Sequence, residues 1–449
     1  MFARIVSNWY AVRASYWFYP ALFSFASFLL AMTLIQLDRE GAADWLSRLS
    51  EIQPARPDGA SNMLTVLAGS MIGVASTVFS ITIAAVAFAS GTYGPRLLNN
   101  FMEDKGNQLS LATFIGTFVY AITVLRTVRS EDEATLDPGS ALATSLPGFV
   151  PQLSLLVGFG LMIASICVLV YFLHHVPSSI RINAVLEGIG ERLISSIGDR
   201  FPELDERGSA HVEPHGGEPV VAHKAGYIRL IDYDKLAQVA EQEGITIGMA
   251  VRTGDFVHLG VPLVHVDGEA SEELASGIRA AFALGGARTP EQDLEFSIDE
   301  LVEIALRALS PGINDPFTAI TAIHWLGAAT AELGRRDLQL KPGAENMRNC
   351  RVITLPDDFA HFVRRGFGAA RSALAENRLT ALVSLDTLRT TAMTITDSER
   401  RAILMQEADL LLAQAECALS GPDLASVRHR HGMCQEFART AHRMPVYQQ

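Results

Sequence analysis

The sequence predicts a mainly α-helical integral membrane protein: four transmembrane helices, then a small β barrel-like module, then a cytoplasmic helical domain. Three observations lead there. Four long windows in the first 180 residues contain no Asp, Glu, Lys or Arg. Charge is partitioned, with 9 Lys/Arg and 11 Asp/Glu through Val176 but 27 and 38 from Pro177 onward. The 449-residue chain is apolar overall, with mean hydropathy +0.21 and 19% charged residues, against about 25% in an ordinary soluble domain.

The charge-free windows are residues 14–37, 59–95, 106–125 and 138–180. A helix needs about 20 predominantly apolar residues to cross the hydrocarbon core, so each window holds one span. The spacing predicts spans at 17–37, 63–89, 109–127 and 153–173 within a transmembrane domain of residues 1–180. Buried helices of a soluble protein are shorter and keep a polar face. The first span lacks a basic n-region and a small-residue cleavage site, so it is expected to be an anchor rather than a cleaved signal peptide. Trp9, Tyr10, Tyr16, Trp17 and Tyr19 cluster where this span would meet the headgroups.

Loop cations set the expected orientation. Arg4 and Arg13 precede span one, Arg96 and Lys105 follow span two, and Arg181 and Arg192 follow span four. The opposite loops hold Arg39, Arg48 and Arg56, then Arg126 and Arg129 followed by the acidic Glu131, Asp132, Glu133 and Asp137. The bias places both termini in the cytoplasm of a bacterial cell, with the chain multi-pass in the inner membrane and the lipid bilayer as its first partner. Cys167, Cys350, Cys417 and Cys434 form no CxxC and no regular spacing, which excludes a disulfide scaffold and most structural zinc sites. A net charge of −13 argues against nucleic acid as a partner.

Span two stands apart. Gly69, Gly73, Thr77 and Ser80 recur at helical spacing, and Gly69-xxx-Gly73 is a GxxxG pattern. Such a stripe lets another helix approach closely. In an oligomer it could equally line a water-filled path with hydroxyls and exposed backbone. His174-His175 at the end of span four point in different directions and suit a headgroup contact better than a metal.

After a linker and helix at 181–213, residues 214–268 carry short strands separated by Gly-containing turns, the pattern of a compact β barrel or sandwich. Strands are expected at Val220-Val221-Ala222, Gly226 to Ile231, Ile245 to Ile247, Met249 to Val251, Gly254 to Val257 and Val261 to Val266, with one helix from Lys235 to Glu243. Residues 251–263 resemble half of a barrel-sandwich hybrid, the fold of biotinyl and lipoyl carriers. No Met-Lys-Met motif accompanies them, so no attached group is implied and no cofactor is expected.

Residues 269–449 form the helical domain. Thr289, Pro290 and Gln292 have the spacing of a capping box, and Ser297-Ile298-Asp299-Glu300 offers a second start. Leu294, Ile298, Leu301, Ala305 and Ala308 line one apolar face up to Pro311-Gly312. Asp315 then caps a new helix with Pro316 in its first turn. Further helices are expected at 358–377, 379–394, 398–419 and 423–442, with Thr396 and Glu399 as another capping box and Gly421-Pro422 as a stop. Arg351 to Leu355 has the pattern of an isolated strand. His429 and His431 alternate with Arg428 and Arg430 in a solvated or headgroup-facing patch.

Two strings carry a family resemblance. One is Thr77-Val78-Phe79-Ser80-Ile81-Thr82 followed by Gly94-Pro95-Arg96-Leu97-Leu98. The other is Arg288-Thr289-Pro290-Glu291-Gln292-Asp293 followed by Ala305 to Ala319, with Ser310-Pro311-Gly312-Ile313-Asn314-Asp315-Pro316-Phe317-Thr318-Ala319 the most specific part. Together they resemble a family of predicted bacterial membrane proteins classed as a domain of unknown function. The resemblance implies an integral membrane protein with a cytoplasmic domain, and it brings no activity or catalytic residue.

No P-loop, HExxH, GxSxG or EF-hand loop occurs, so the chain is expected not to be an enzyme, with no catalytic or metal residues. Arg288, Asp293, Asn314, Asp315 and Thr318 would make a ligand or subunit contact if two antiparallel helices brought them together; a plain helix–turn–helix junction explains the same residues. Two functions fit. The first is a homo-oligomeric channel or transport-like protein, gated by its cytoplasmic part, that passes an ion or small ligand. The second is a membrane-anchored scaffold or sensor that binds a protein or small ligand through its cytoplasmic half.

Overall fold

A computed structural model describes residues 15–41, 56–94, 104–129, 149–204, 216–290, 292–338, 351–355 and 357–441. Arg4, Trp9, Tyr10, Arg13, Arg48, the 95–98 string, the acidic loop at 131–137, Glu291 and Cys350 lie outside the described residues. The chain divides into two compact units, one holding the four long apolar helices and the other the residues from Ile182 onward.

In the first unit the four helices are α1 (Phe18–Arg39), α2 (Pro57–Tyr93), α3 (Lys105–Leu125) and α4 (Gln152–Ser179). All four are long and apolar enough to cross a membrane. α1 packs along α3, and α4 packs on both. Gly116 permits the close approach of α1: a Cβ there would lie 2.9 Å from the Ser27 hydroxyl and 3.4 Å from Phe23. The core joins Leu64, Leu67 and Val78 of α2 to Phe114, Tyr120 and Val124 of α3 and to Leu155 and Phe172 of α4. Two polar contacts in it join α3 to α4. The Tyr120 hydroxyl donates to the Ser154 carbonyl at 2.7 Å, and Thr117 meets Ser165 at 3.1 Å. An unpaired polar group in hydrocarbon would be costly, which favours these two contacts. His175 lies 2.9 Å from Asp104, the N-cap of α3, and stacks on Tyr171. His175 of the histidine pair thus makes an intramolecular bond, with its side chain still partly exposed.

The second unit begins with α5 (Ile182–Arg200) and continues into a β module. Its strands are β1 (Glu218–Val221), β2 (Gly226–Ile231), β3 (Ile247–Met249), β4 (Phe256–Val257), β5 (Pro262–Val266), β6 (Phe282–Gly285) and β7 (Val352–Ile353), with α6 (Tyr233–Glu243) and α7 (Glu272–Arg279) between them. They form two separate sheets, β1-β5-β3-β7 and β4-β2-β6. The expected barrel is therefore corrected: the sheets do not close. Very short strands such as β4 and β7 cannot propagate a ladder around a barrel. Both sheets instead cover one core, in which Val220, Ile247 and Val264 meet Ile228, Ile231 and Phe282 with Leu236 and Ile278 from the helices. β6 pairs with β2, so strand structure runs past residue 268. β7, expected to be isolated, pairs in parallel with β3.

The remaining helices are α8 (Leu294–Ala308), α9 (Pro316–Arg335), α10 (Phe359–Val363), α11 (Ala369–Glu376), α12 (Arg378–Thr394), α13 (Ser398–Ala418) and α14 (Gly421–Ala441), with a π-helical turn at Arg364–Gly368 between α10 and α11. Asp315 caps α9 and Pro316 lies in its first turn, as the sequence predicts. Two capping expectations are corrected. α8 is capped by Asp293, which accepts from the Phe296 N–H, and not by Thr289. Gln292 is drawn away to β2, where its amide bonds the Ile231 N–H at 3.0 Å and the Ile231 carbonyl at 3.3 Å. α13 is capped by Asp397 rather than Thr396. Gly421, at φ +59°, opens α14 rather than ending a helix. Three residues of the basic patch there are paired: His431 meets Asp409 at 2.7 Å, Arg428 meets Glu416 at 2.9 Å, and Arg430 meets Asp386.

Candidate functional site

The residues singled out in α2 lie on one outward face. Leu64, Leu67, Ala68, Met71, Ala75, Val78 and Thr82 are buried, whereas Gly69, Gly73, Thr77 and Ser80 are exposed. A Cβ added at Gly69 or Gly73 would meet nothing within 4 Å. The Thr77 hydroxyl donates to the Gly73 carbonyl at 3.0 Å and that of Ser80 to the Ser76 carbonyl at 2.9 Å. Each hydroxyl donor is thereby used within α2, which leaves the oxygen able to accept from another group.

A second cluster stands at the start of α8. Asp293 is buried because it caps this helix, and Arg288 grips it with two bonds of 2.7 and 2.8 Å. Arg288 also donates to Asp299 at 2.6 Å. Arg365, in the π-helical turn, binds Asp299 at 2.7 and 2.8 Å and Glu295 at 2.7 Å, and Glu295 meets His361 at 2.7 Å. Burial pushes the Asp293 carboxyl above its usual value, opposed by the Arg288 charge and bonds. Burial opposes the charge on Arg365, yet the bonds to Asp299 and the carboxylates around it hold that guanidinium protonated above its usual value.

Beside this lattice lies a cavity of about 250 Å³, lined by Ser196, Arg200, Tyr233, Thr253, Gln292 and Asp293 among others. Arg200 donates to the Gln292 carbonyl at 3.1 Å and to Asp357 at 3.2 Å. Arg252 approaches Asp357 at 3.6 Å. Burial raises the Asp357 carboxyl above its usual value despite these two cations, and it raises the Tyr233 hydroxyl as well. The Thr253 hydroxyl donates to the Gln292 carbonyl at 2.7 Å. A concave site with a few convergent polar groups is the usual form of a small-ligand pocket.

A family model described as "Predicted membrane protein (DUF2254)" matches residues 13–390. The chain belongs to this family. It is 29% identical over 376 residues to an uncharacterized protein of Mycobacterium tuberculosis (strain H37Rv) and, at the same identity and length, to one of Mycobacterium bovis. Each alignment covers 80% of this chain and 69% of the relative. No solved structure matches.

Within this family member, the five soluble-half candidates separate into two groups. Arg288 and Asp293 join at the start of α8. Asn314, Asp315 and Thr318 lie beyond its end, a 15-residue helix and hence about 22 Å away along the axis. Antiparallel packing of α8 and α9 does not reunite them, because the connecting turn is at the far end. There Asp315 is occupied locally, accepting from the N–H groups of Phe317 and Thr318 and from the Thr318 hydroxyl. Asn314 takes φ +50°, which a short amide side chain tolerates. Sequence reasoning missed Glu295, Asp299, His361 and Arg365. A signal exists for them: acidic residues four apart on α8 face basic residues four apart across α10 and the π-helical turn. Among the described residues no group of three or more His, Cys, Asp or Glu side chains could hold a metal.

Proposed function

We propose that this chain is a homo-oligomeric channel or transport-like protein of the bacterial inner membrane, with both termini in the cytoplasm and its second unit regulating it. In this reading it performs no covalent chemistry. The observation that supports the proposal is the outward face of α2. Gly69, Gly73, Thr77 and Ser80 present small and hydroxyl side chains to open space, while the buried face of the same helix serves the chain's own core. Small-residue faces favour close helix association in lipid, and hydroxyls around an axis can coordinate a passing ion or small ligand. The test is flux from purified protein reconstituted in liposomes, together with crosslinking of Gly73→Cys. Ion flux and a crosslinked oligomer are expected. A monomer in native nanodiscs that passes no common ion would overturn the proposal.

The cavity beside Arg200 favours a second reading, a membrane-anchored scaffold or sensor that takes a small polar ligand or a protein. Replacing the four spans by unrelated ones distinguishes the two. A sensor keeps its function after the exchange, and a channel loses it.

A further inference from the structure

We propose that the cavity between α5 and the start of α8 binds a small zwitterion of the α-amino-acid class, with Arg200, Ser196 and Tyr233 holding its carboxylate and Asp199 its ammonium group. The inference deepens the second reading above and rests on the cavity taking a small ligand.

One wall of the cavity is the last turn of α5. Ser196, Asp199 and Arg200 all line it, and their spacing of three and four residues sets them side by side on one helical face. The opposite wall is formed by Gln292, Asp293 and their neighbours, whose polar groups are already bonded. The Gln292 side-chain amide binds both backbone groups of Ile231, and its backbone carbonyl accepts from Arg200 and Thr253. Asp293 is held by Arg288 and by the Phe296 N–H. Pro290 and Leu294 complete this wall with apolar surface.

The α5 side differs. Among the described residues, the hydroxyls of Ser196 and Tyr233 have no hydrogen-bond partner and the Asp199 carboxylate has no ion-pair partner. Asp199 is exposed and does not pair with Arg200 beside it. Arg200 instead uses one donor on each terminal nitrogen, for the Gln292 carbonyl and for Asp357. A guanidinium has five N–H donors. The remaining ones are unbonded, and the Nε of Arg200 is buried without a partner. Tyr233 opens α6 close by, and the charges of Arg200, Asp357 and Arg252 all act on its hydroxyl.

The cavity therefore lacks an acceptor for the donors of Arg200, Ser196 and Tyr233, and it lacks a donor for Asp199. The charges agree. Arg200 shares its carboxylate partner, Asp357, with Arg252, so the Arg200 charge is only partly offset. Asp199 beside it carries an opposite charge with no partner at all. A plain anion would be repelled by Asp199, and a plain cation by Arg200. A molecule with both charges a few bonds apart satisfies both, through the charge-assisted hydrogen bonds that are the strong ones. At about 250 Å³ the cavity is smaller than the roughly 300–1,000 Å³ of sites for drug-sized ligands, which suits a molecule of amino-acid size. Pro290 and Leu294 offer apolar surface to its side chain.

The experiment uses the full chain in detergent, titrated calorimetrically with each of the common L-amino acids. Any that binds is compared with the same molecule lacking its amino group and the same molecule lacking its carboxyl group; for L-leucine these are isocaproate and isoamylamine. Binding of at least one amino acid is expected, with each truncated analogue weaker by about tenfold or more, the usual effect of losing one charge-assisted bond. Asp199→Asn and Ser196→Ala alter side chains that hold no other group of the described chain, so both variants should keep the fold. Asp199→Asn should erase the preference for the amino acid over its amine-lacking analogue, and Ser196→Ala should weaken both compounds alike. Equal affinity for the amino acid and either analogue would overturn the proposal and leave the sensor reading standing, because the cavity would then take a ligand of single charge. Binding unchanged in both variants would overturn it as well, since the amino acid would then sit elsewhere. So would a failure of every amino acid to bind, by heat or by melting temperature, and in that case exchange of the four spans still decides the sensor reading separately.

Discussion

Asp38, near the end of α1, caps α4 through Ser154: the Ser154 N–H donates to its carboxylate at 3.0 Å and the Ser154 hydroxyl at 2.7 Å. The Leu153 N–H adds a third bond at 2.9 Å. Pro151, the residue in the cap position of α4, has no side-chain acceptor, so a neighbouring helix supplies one. An anion at this end also complements the positive pole of the helix dipole. Asp38→Ala should destabilise the chain by about 1–2 kcal/mol, the usual effect of losing an N-cap. Asp38→Asn keeps an acceptor and should retain most of the stability. Thermal melting of the two variants in one detergent reads the difference.

A different ion pair fixes the last helices. Arg371 of α11 binds Glu407 of α13 with two bonds of 2.7 Å, and the Glu407 side chain is only 4% exposed. Those bonds hold the Arg371 guanidinium protonated above its usual value. Arg371→Ala would strand a buried carboxylate, which costs roughly 3–5 kcal/mol in comparable buried pairs. Arg371→Ala with Glu407→Gln should recover part of that loss, because the buried charge goes with its partner. Chemical denaturation followed by a probe in the second unit measures both, and equal destabilisation by the single and double changes would contradict this account.

The elements most legible in the sequence are those whose signal is local. The expected spans at 17–37, 63–89, 109–127 and 153–173 each fall within or overlap α1 to α4, because lipid imposes a continuous stretch without charge. Asp315 and Pro316 were readable for the same reason, since cap and first turn are adjacent. The barrel was not, because whether a sheet closes depends on long-range pairings. β7 reaches β3 across about a hundred residues, and nothing in Val352-Ile353 names Ile247 and Gly248 as its partners. The misplaced cap of α8 has the same origin. Thr289 and Gln292 match a capping box locally, yet Ile231 claims Gln292 and Arg288 draws Asp293 into the ionic lattice. The lattice itself joins segments some 66 residues apart, and only the four-residue spacings within α8 and across the π-helical turn foreshadow it.

Asp357 gives a pH prediction with a definite sign. Burial raises its folded-state value above the ordinary 3.8, and the attraction of Arg200 and Arg252 does not cancel the effect. The unfolded chain therefore ionises first as pH rises. The stability linked to this proton is fully present below the ordinary value and is lost as pH climbs through the raised one. Asp357→Asn imitates the protonated form at every pH. The variant should match the wild type near pH 4 or below and exceed it in melting temperature at pH 7. A variant less stable than the wild type at pH 7 would mean that the two arginines outweigh burial.

Two glycines of α5 separate packing from propensity. Gly190 is buried where the Trp325 ring lies in the space a Cβ would take, whereas a Cβ at Gly188 would meet nothing within 4 Å. Both sit in the interior of one helix, so Ala improves the backbone propensity by up to about 1 kcal/mol at either site. At Gly188 that gain stands alone, and Gly188→Ala should raise the melting temperature. At Gly190 the added methyl must displace a large ring at the seam of α5 and α9, and overpacking of this kind destabilises by about 1–3 kcal/mol. Gly190→Ala should therefore lower the melting temperature and shift the Trp325 emission, while the further change Trp325→Leu should relieve the clash. Because the register between α5 and α9 runs through this seam, Gly190→Ala should also loosen it, and hydrogen exchange in the first turns of both helices should rise together.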